Sequence, residues 1–285
     1  MAEFEDRYWT SEDGLRLHFR DYAGPAAKPP VVCIPGLTRN ARDFEGVAGR
    51  LAGRWRVLCP DLRGRGDSAY AKDPMSYLPM TYAADIAALL DAEGIERFVA
   101  IGTSLGGLVT MLTAASGGHR IAGAVINDIG PEVSDQGIAR IRGYVGQGRS
   151  FETWMHAARA LEEAQADVFP DFSVEDWLVM AKRVMTLGPN GRIVFDYDMK
   201  IADPFAAGDG AAGVDLWPAW NALGAGPVLI VRGGNSDILA PDVAERMVAA
   251  IPDCALVVIP RVGHAPTLDE PEAVAAIERL LAKVA

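Results

Sequence analysis

A chain of 285 residues, half of them hydrophobic, can bury a sizeable core, as one large domain or one domain carrying an inserted lobe. Lysine and arginine total 27 against 38 aspartates and glutamates, and the net charge of −11 repels nucleic acid and anionic membrane surfaces. No apolar run reaches bilayer-spanning length and the acidic first residues lack a signal core. The expectation is therefore a cytoplasmic protein, a monomer or homodimer, acting on a small-molecule substrate with no nucleic acid or membrane involved.

Taken in chain order, Arg7 to Ser11 and Leu15 to Tyr22 read as two strands of a hairpin turning at Asp13-Gly14. Beyond the Pro/Ala-rich loop at 25–30, short buried strands alternate with helices. Strands are predicted at Val31 to Ile34, Trp55 to Cys59, Arg97 to Ile101 and Gly123 to Ile126. The intervening helices are Phe44 to Leu51, Thr81 to Glu93 and Leu105 to Ala115. Near-continuous apolar strands separated by helices imply a mostly parallel sheet covered on both faces.

The alternation stops at Gly130-Pro131. Residues 131–218 carry helical patterns at Asp135 to Gly143, Phe151 to Gln165 and Ser173 to Thr186, with Ser173 and Asp176 as an N-cap pair and no convincing buried strand. The strand–helix rhythm then resumes with Pro227 to Val231, Pro241 to Ala250, Leu256 to Ile259 and Glu270 to Val284. Residues 1–130 and 219–285 thus form one α/β core, into which 131–218 is inserted as a helical cap.

The densest signal is Gly102-Thr103-Ser104-Leu105-Gly106, set where an apolar strand turns directly into an apolar helix. A strand–turn–helix around Gly-x-Ser-x-Gly forces the serine into strained backbone geometry and exposes its hydroxyl. The flanking glycines are required because a side chain at either site would collide with the neighbouring strand or helix. The helix behind the serine aims free N–H groups and a positive dipole end at whatever it attacks.

A serine hydroxyl needs a base, and the base needs an acid to orient it. His264, in Gly263-His264-Ala265-Pro266 after the last apolar strand, lies where a parallel sheet presents its functional carboxyl ends. His18, His119 and His156 fit poorly and read as core or surface residues. The acid should follow the preceding strand, which selects Asp237; Asp128, in Asn127-Asp128-Ile129-Gly130, competes by following the strand after the serine helix. Two N–H donors are needed for the developing oxyanion, and the backbones of Leu105 and Leu37 are the candidates, the latter in Pro35-Gly36-Leu37-Thr38.

Arg39 is a candidate for a substrate carboxylate, with pairing to Asp43 as its structural alternative; Trp154 and Met180 are candidate pocket residues of the cap. Arg63 and Asp67 are expected to pin their loop. Cys33, Cys59 and Cys254 are odd in number and widely spaced, which reads as buried thiols in a reducing compartment. No two histidines stand at metal-ligand spacing, and neither a metal nor a cofactor is expected.

On these residues the chain resembles the α/β-hydrolase fold family across nearly its whole length. Cys33-Ile34-Pro35-Gly36-Leu37-Thr38-Arg39-Asn40 resembles its oxyanion segment, with Pro35 where many members have His, and Asp61-Leu62-Arg63-Gly64-Arg65-Gly66-Asp67-Ser68 resembles its Asp-x-Arg-Gly-x-Gly-x-Ser loop. Nucleophile, acid and base stand in the family's order, and the helical insertion resembles its lid. The resemblance implies the α/β-hydrolase fold: an eight-stranded, mostly parallel sheet flanked by helices, with the cap inserted after the sixth strand. Serine at the elbow points to a carboxylic-ester or lactone hydrolase working through an acyl-enzyme. Two alternatives remain: carbon–carbon hydrolysis or cofactor-independent oxygen chemistry on the same scaffold, lowered by Thr103 and Ala265, and a non-enzymatic ligand receptor.

Overall fold

In a computed structural model, residues 2–207 and 215–284 are described; part of the 131–218 segment, residues 208–214, lies outside them. The chain opens with the expected hairpin, β1 (Glu5–Thr10) and β2 (Arg16–Tyr22), turned through Gly14 at a φ of 83°. Then follow β3 (Val31–Ile34), α1 (Glu45–Leu51), β4 (Val57–Pro60), α2 (Pro79–Ala92), β5 (Phe98–Thr103), α3 (Leu105–Gly117) and β6 (Ile121–Asn127). After the 131–218 segment come β10 (Val228–Gly233), α9 (Pro241–Ala250), β11 (Cys254–Ile259) and α10 (Pro271–Val284).

The eight core strands form one sheet in the order β1-β2-β4-β3-β5-β6-β10-β11. β1 and β2 pair antiparallel, as do β2 and β4, and every other neighbouring pair is parallel. This is the α/β-hydrolase fold. Its strands are apolar on both sides because both faces are covered. Val32 and Ile34 of β3 pack with residues of α2, α3 and α9, while Val31 and Cys33 face α1 and α10. That two-residue alternation divides the core into two layers. Carboxyl ends of β3, β5, β6 and β10 gather along one edge, so the loops that follow them are forced together.

Between β6 and β10, neighbours in the sheet, the chain makes its long excursion. It carries α4 (Asp135–Tyr144), α5 (Trp154–Gln165), α6 (Val174–Val184), α7 (Asp203–Ala206) and α8 (Trp217–Asn221). Ser173 and Asp176 form a reciprocal capping box at the start of α6. The segment has a hydrophobic cluster of its own around Leu161, Phe169, Trp177 and Met180. Contrary to the all-helical expectation, it also holds a small antiparallel sheet of β7 (Ser150–Phe151), β8 (Met185–Leu187) and β9 (Ile193–Phe195). Strands of two or three residues are too short to show a period in the sequence.

Cys33 and Cys59 are buried free thiols and Cys254 is a half-buried one. Burial pushes the Cys59 thiol well up from its ordinary value. Among the described residues no helix is long and apolar enough to cross a membrane.

Candidate active site

β5 runs two residues further than its apolar pattern suggests, to Thr103, and the chain then reverses into α3 within a single residue. That residue is Ser104, at a φ of 51°, a conformation L-residues rarely hold. Its N–H is fixed by the Asn127 carbonyl at 2.8 Å, so β6 pins the turn from the side. A Cβ on Gly106 would overlap the Ile34 carbonyl oxygen of β3, and one on Gly102 would overlap the Gly106 carbonyl. Both glycines are steric requirements of the turn, for the reason their spacing suggested.

His264 reaches the serine from the loop after β11: its Nε2 lies 2.8 Å from Ser104 Oγ. Its Nδ1 lies 2.9 Å from Asp128 Oδ2. A carboxylate can only accept, so Nδ1 carries the proton and Nε2 is left to accept from the serine hydroxyl. Asp128 is wholly buried at a φ of 59°, and its second oxygen takes the Gly233 N–H at 2.8 Å. Its position is thus fixed from both sides.

The expectation that Asp237 holds the histidine is corrected by this geometry. Arg140 of α4 grips Asp237 with both arms, Nε to Oδ2 at 2.5 Å and Nη2 to Oδ1 at 2.8 Å. The guanidinium holds the Asp237 carboxyl below the usual carboxylate range. The left-handed turn at Asp128, directly after β6, aims its carboxylate under His264 instead. Sequence reasoning weighed both acids and chose Asp237, the wrong one, because β6 and β10 are neighbours and each ends in an aspartate-bearing loop. Asn127 was missed altogether. Its Nδ2 bonds Thr103 Oγ1 at 3.0 Å and the Pro266 carbonyl at 2.8 Å, tying the serine turn to the histidine loop.

The two proposed backbone donors are oriented by their own peptide units. The Gly36 carbonyl accepts the Arg39 N–H at 3.1 Å, and in a trans peptide the Leu37 N–H points the opposite way. The Ser104 carbonyl accepts from Gly107 and Leu108 inside α3, so the Leu105 N–H points out of the helix start. Among the described residues neither N–H has a protein acceptor. The Leu37 carbonyl is held at 2.9 Å by Nε of Arg65, a fully buried guanidinium whose Nη1 bonds the Arg63 carbonyl and the Tyr82 hydroxyl. Nothing in the sequence pointed to Arg65.

Leu37, Arg39, Ser104, Arg140 and His264 line one cleft of about 90 Å³. Arg39 bonds Asp43 through Nε at 3.0 Å and Nη2 at 2.5 Å, the structural alternative foreseen for it. Met180 lines an adjoining chamber, whereas Trp154 packs against the segment's own hydrophobic cluster and lines neither cavity. Arg63 is buried in ion pairs with Asp85 of α2 and Asp13 of the hairpin turn, which pin the loop to its neighbours, whereas Asp67 contributes only its N–H, bonded to Asp61 within the loop.

His18, Asp61 and Asp67 are the one group among the described residues with the clustering a metal ion needs. The donor atoms of its two buried members are already engaged, His18 Nδ1 with Asp61 at 2.7 Å and Nε2 with Asp6 at 2.9 Å, and Asp61 Oδ1 with the Ala41 N–H at 2.6 Å. The site around Ser104 has no such ligand set.

A family model described as the alpha/beta hydrolase family matches residues 31–277. The chain is similar over its full length to the crystal structure of an alpha/beta hydrolase from Novosphingobium aromaticivorans, with 65% identity, a TM-score of 0.95 and 100% of each chain covered. It is 34% identical over 271 residues to the 3-hydroxybutyrate-oligomer hydrolase of Cupriavidus necator, covering 91% of this chain and 90% of that protein. It is also 26% identical over 239 residues to the 2-(acetamidomethylene)succinate hydrolase of Mesorhizobium japonicum, covering 83% of this chain and 81% of that one.

Proposed function

Because the chain belongs to the alpha/beta hydrolase family, we propose that it is a serine hydrolase that cleaves a small or medium carboxylic ester through an acyl-enzyme. The observation that carries this reading is the hydrogen-bonded line from Ser104 Oγ through His264 to Asp128, with the serine held on a strained turn.

In this reading His264 Nε2 takes the hydroxyl proton as Ser104 Oγ attacks the ester carbonyl. The imidazolium that forms is stabilised by the Asp128 carboxylate, which keeps its own negative charge. The Leu37 and Leu105 N–H groups receive the oxyanion, each contributing roughly 3 kcal/mol to its stabilisation by analogy with other systems. His264 then protonates the leaving alcohol, and water, deprotonated by the same imidazole, cleaves the acyl-enzyme. The segment 131–218 acts as a lid that supplies the substrate pocket. The name of the Cupriavidus relative, a hydrolase of an oligomer, supports ester rather than carbon–carbon cleavage, since 3-hydroxybutyrate units are joined through ester links.

The test pairs covalent labelling with turnover. A fluorophosphonate probe is expected to label Ser104, and the enzyme to hydrolyse p-nitrophenyl butyrate. Ser104→Ala is expected to lose both while keeping its melting temperature. Full activity in that variant would overturn the proposal.

A further inference from the structure

β6 is apolar from Ile121 to Ile126 and ends in Asn127, which has no contact with solvent and lines neither cavity. Both hydrogens of its amide are used, one on Thr103 Oγ1 at 3.0 Å and one on the Pro266 carbonyl at 2.8 Å. A carbonyl only accepts, so the second bond fixes which end of the amide carries the nitrogen. The amide oxygen is left buried with no hydrogen-bond partner among the described residues. An orphaned buried acceptor costs stability, and stability alone would favour an apolar side chain at the end of this strand.

The amide holds the loop that carries the base. The Gly263 N–H bonds the Val168 carbonyl of the inserted segment, and the Thr267 N–H bonds the Glu270 carboxylate. Between them, on residues 264–266, the bond from Asn127 is the only hydrogen bond to the backbone among the described residues. The same residue serves the other two members of the line. Its own carbonyl accepts the Ser104 N–H at 2.8 Å, and the next residue is Asp128. Nucleophile, acid and base are thus all referred to the end of β6.

We propose that Asn127 is a positioning residue that keeps His264 in place for two successive proton transfers. This rests on the esterase reading above and adds the residue that holds its base. In the first transfer the Ser104 hydroxyl proton passes to Nε2 while Oγ bonds to the ester carbonyl carbon. In the second the bond from that carbon to the alkoxy oxygen breaks, and Nε2 returns the proton to the departing oxygen. The first transfer keeps local support without Asn127, since Nε2 lies 2.8 Å from Oγ and Asp128 orients the ring through Nδ1. The second has none, because the ring must reach an oxygen that belongs to the substrate. A base displaced by about 1 Å can lose on the order of 100-fold in rate. A loosened loop therefore harms the second transfer more than the first.

Three reactions at Ser104 separate the transfers. A fluorophosphonate expels fluoride and p-nitrophenyl butyrate expels p-nitrophenolate, both of which depart without a proton. Ethyl butyrate expels an alkoxide, which needs one. Asn127→Ala is expected to lower the labelling rate and kcat/KM for p-nitrophenyl butyrate by about tenfold, and kcat/KM for ethyl butyrate by about a hundredfold. Rates are referred to the sites that the probe labels at completion, so misfolded material does not count. Asn127→Ser, whose hydroxyl ends one bond short of the amide nitrogen, carries the same expectation and stands in if Asn127→Ala does not fold. Equal losses on the two esters, or labelling at the native rate, would overturn the assignment. Failure of both variants to fold would make Asn127 a structural residue and overturn it as well. If the native enzyme is labelled but cleaves neither ester, the esterase reading falls; a labelling rate lowered tenfold in Asn127→Ala then still supports the positioning role, and an unchanged one ends it. A native enzyme that is neither labelled nor active removes both.

Discussion

Asp128 and His264 are joined at 2.9 Å, although 136 positions separate them in the chain. Asp237, which follows the strand next to Asp128's own, is turned toward Arg140 instead. The two aspartates therefore have separable effects. Asp128→Asn is expected to lower kcat by on the order of 10²- to 10⁴-fold, because an amide can donate to Nδ1 and favour the wrong tautomer. Asp237→Asn keeps the line to Ser104 and is expected to cost kcat less than about tenfold, acting through the seat of α4. Steady-state kinetics on p-nitrophenyl butyrate distinguish them; the reverse ranking would return the role to Asp237.

Arg65 fixes the carbonyl of Leu37 while the Arg39 N–H fixes the carbonyl of Gly36, so residue 37 is clamped on both sides. In the proposed mechanism, removing one clamp loosens a donor that matters only once the oxyanion has formed. Arg65→Lys is expected to lower kcat by about tenfold with KM within about twofold, a fraction of the loss seen when an oxyanion donor is deleted outright. A change confined to KM would show that Arg65 acts on the ground state.

Glycine substitutions should differ in sign. At Gly106 a methyl group would enter the Ile34 carbonyl, and neither the strand nor the helix can yield, so Gly106→Ala is expected to cost about 3 kcal/mol. Gly49 lies on the exposed side of α1 with open space around it. Gly49→Ala is expected to stabilise by about 0.5–1 kcal/mol. Urea unfolding of both variants checks the pair.

His18 is buried between Asp61 and Asp6. Burial works against its charged form, but the bond and charge of Asp61, joined by Asp6 and Asp67, raise its pKa above the usual 6.5. The folded imidazole binds its proton more tightly than the unfolded one, so its contribution to stability is complete below pH 6.5 and is lost as the pH rises through the folded value. The melting temperature of the native enzyme minus that of His18→Gln is expected to shrink across that interval. A difference that grows with pH would reverse the assignment.

The serine turn and the histidine loop were legible in the sequence because each is fixed by local chemistry: glycines that only a tight turn requires, and a polar loop directly after an apolar strand. The acid was not, because its choice depends on which of two adjacent loops turns left-handed toward His264. Arg39 and Asp43, four residues apart, were readable as a pair. Arg65 was not, since its bond to the Leu37 carbonyl spans 28 positions. Trp154 and Met180 looked alike as candidates on helical faces, and only packing sends one into the segment's own core and the other to the cavity wall.

The pairing of Arg140 with Asp237 leaves both side chains about one-third exposed, whereas Asp128 has no contact with solvent. Mobile ions screen the first and cannot approach the second. Rising ionic strength should therefore weaken the seam between α4 and the core without touching the proton transfer proposed at Ser104. Added salt is expected to act on KM, leaving kcat unchanged.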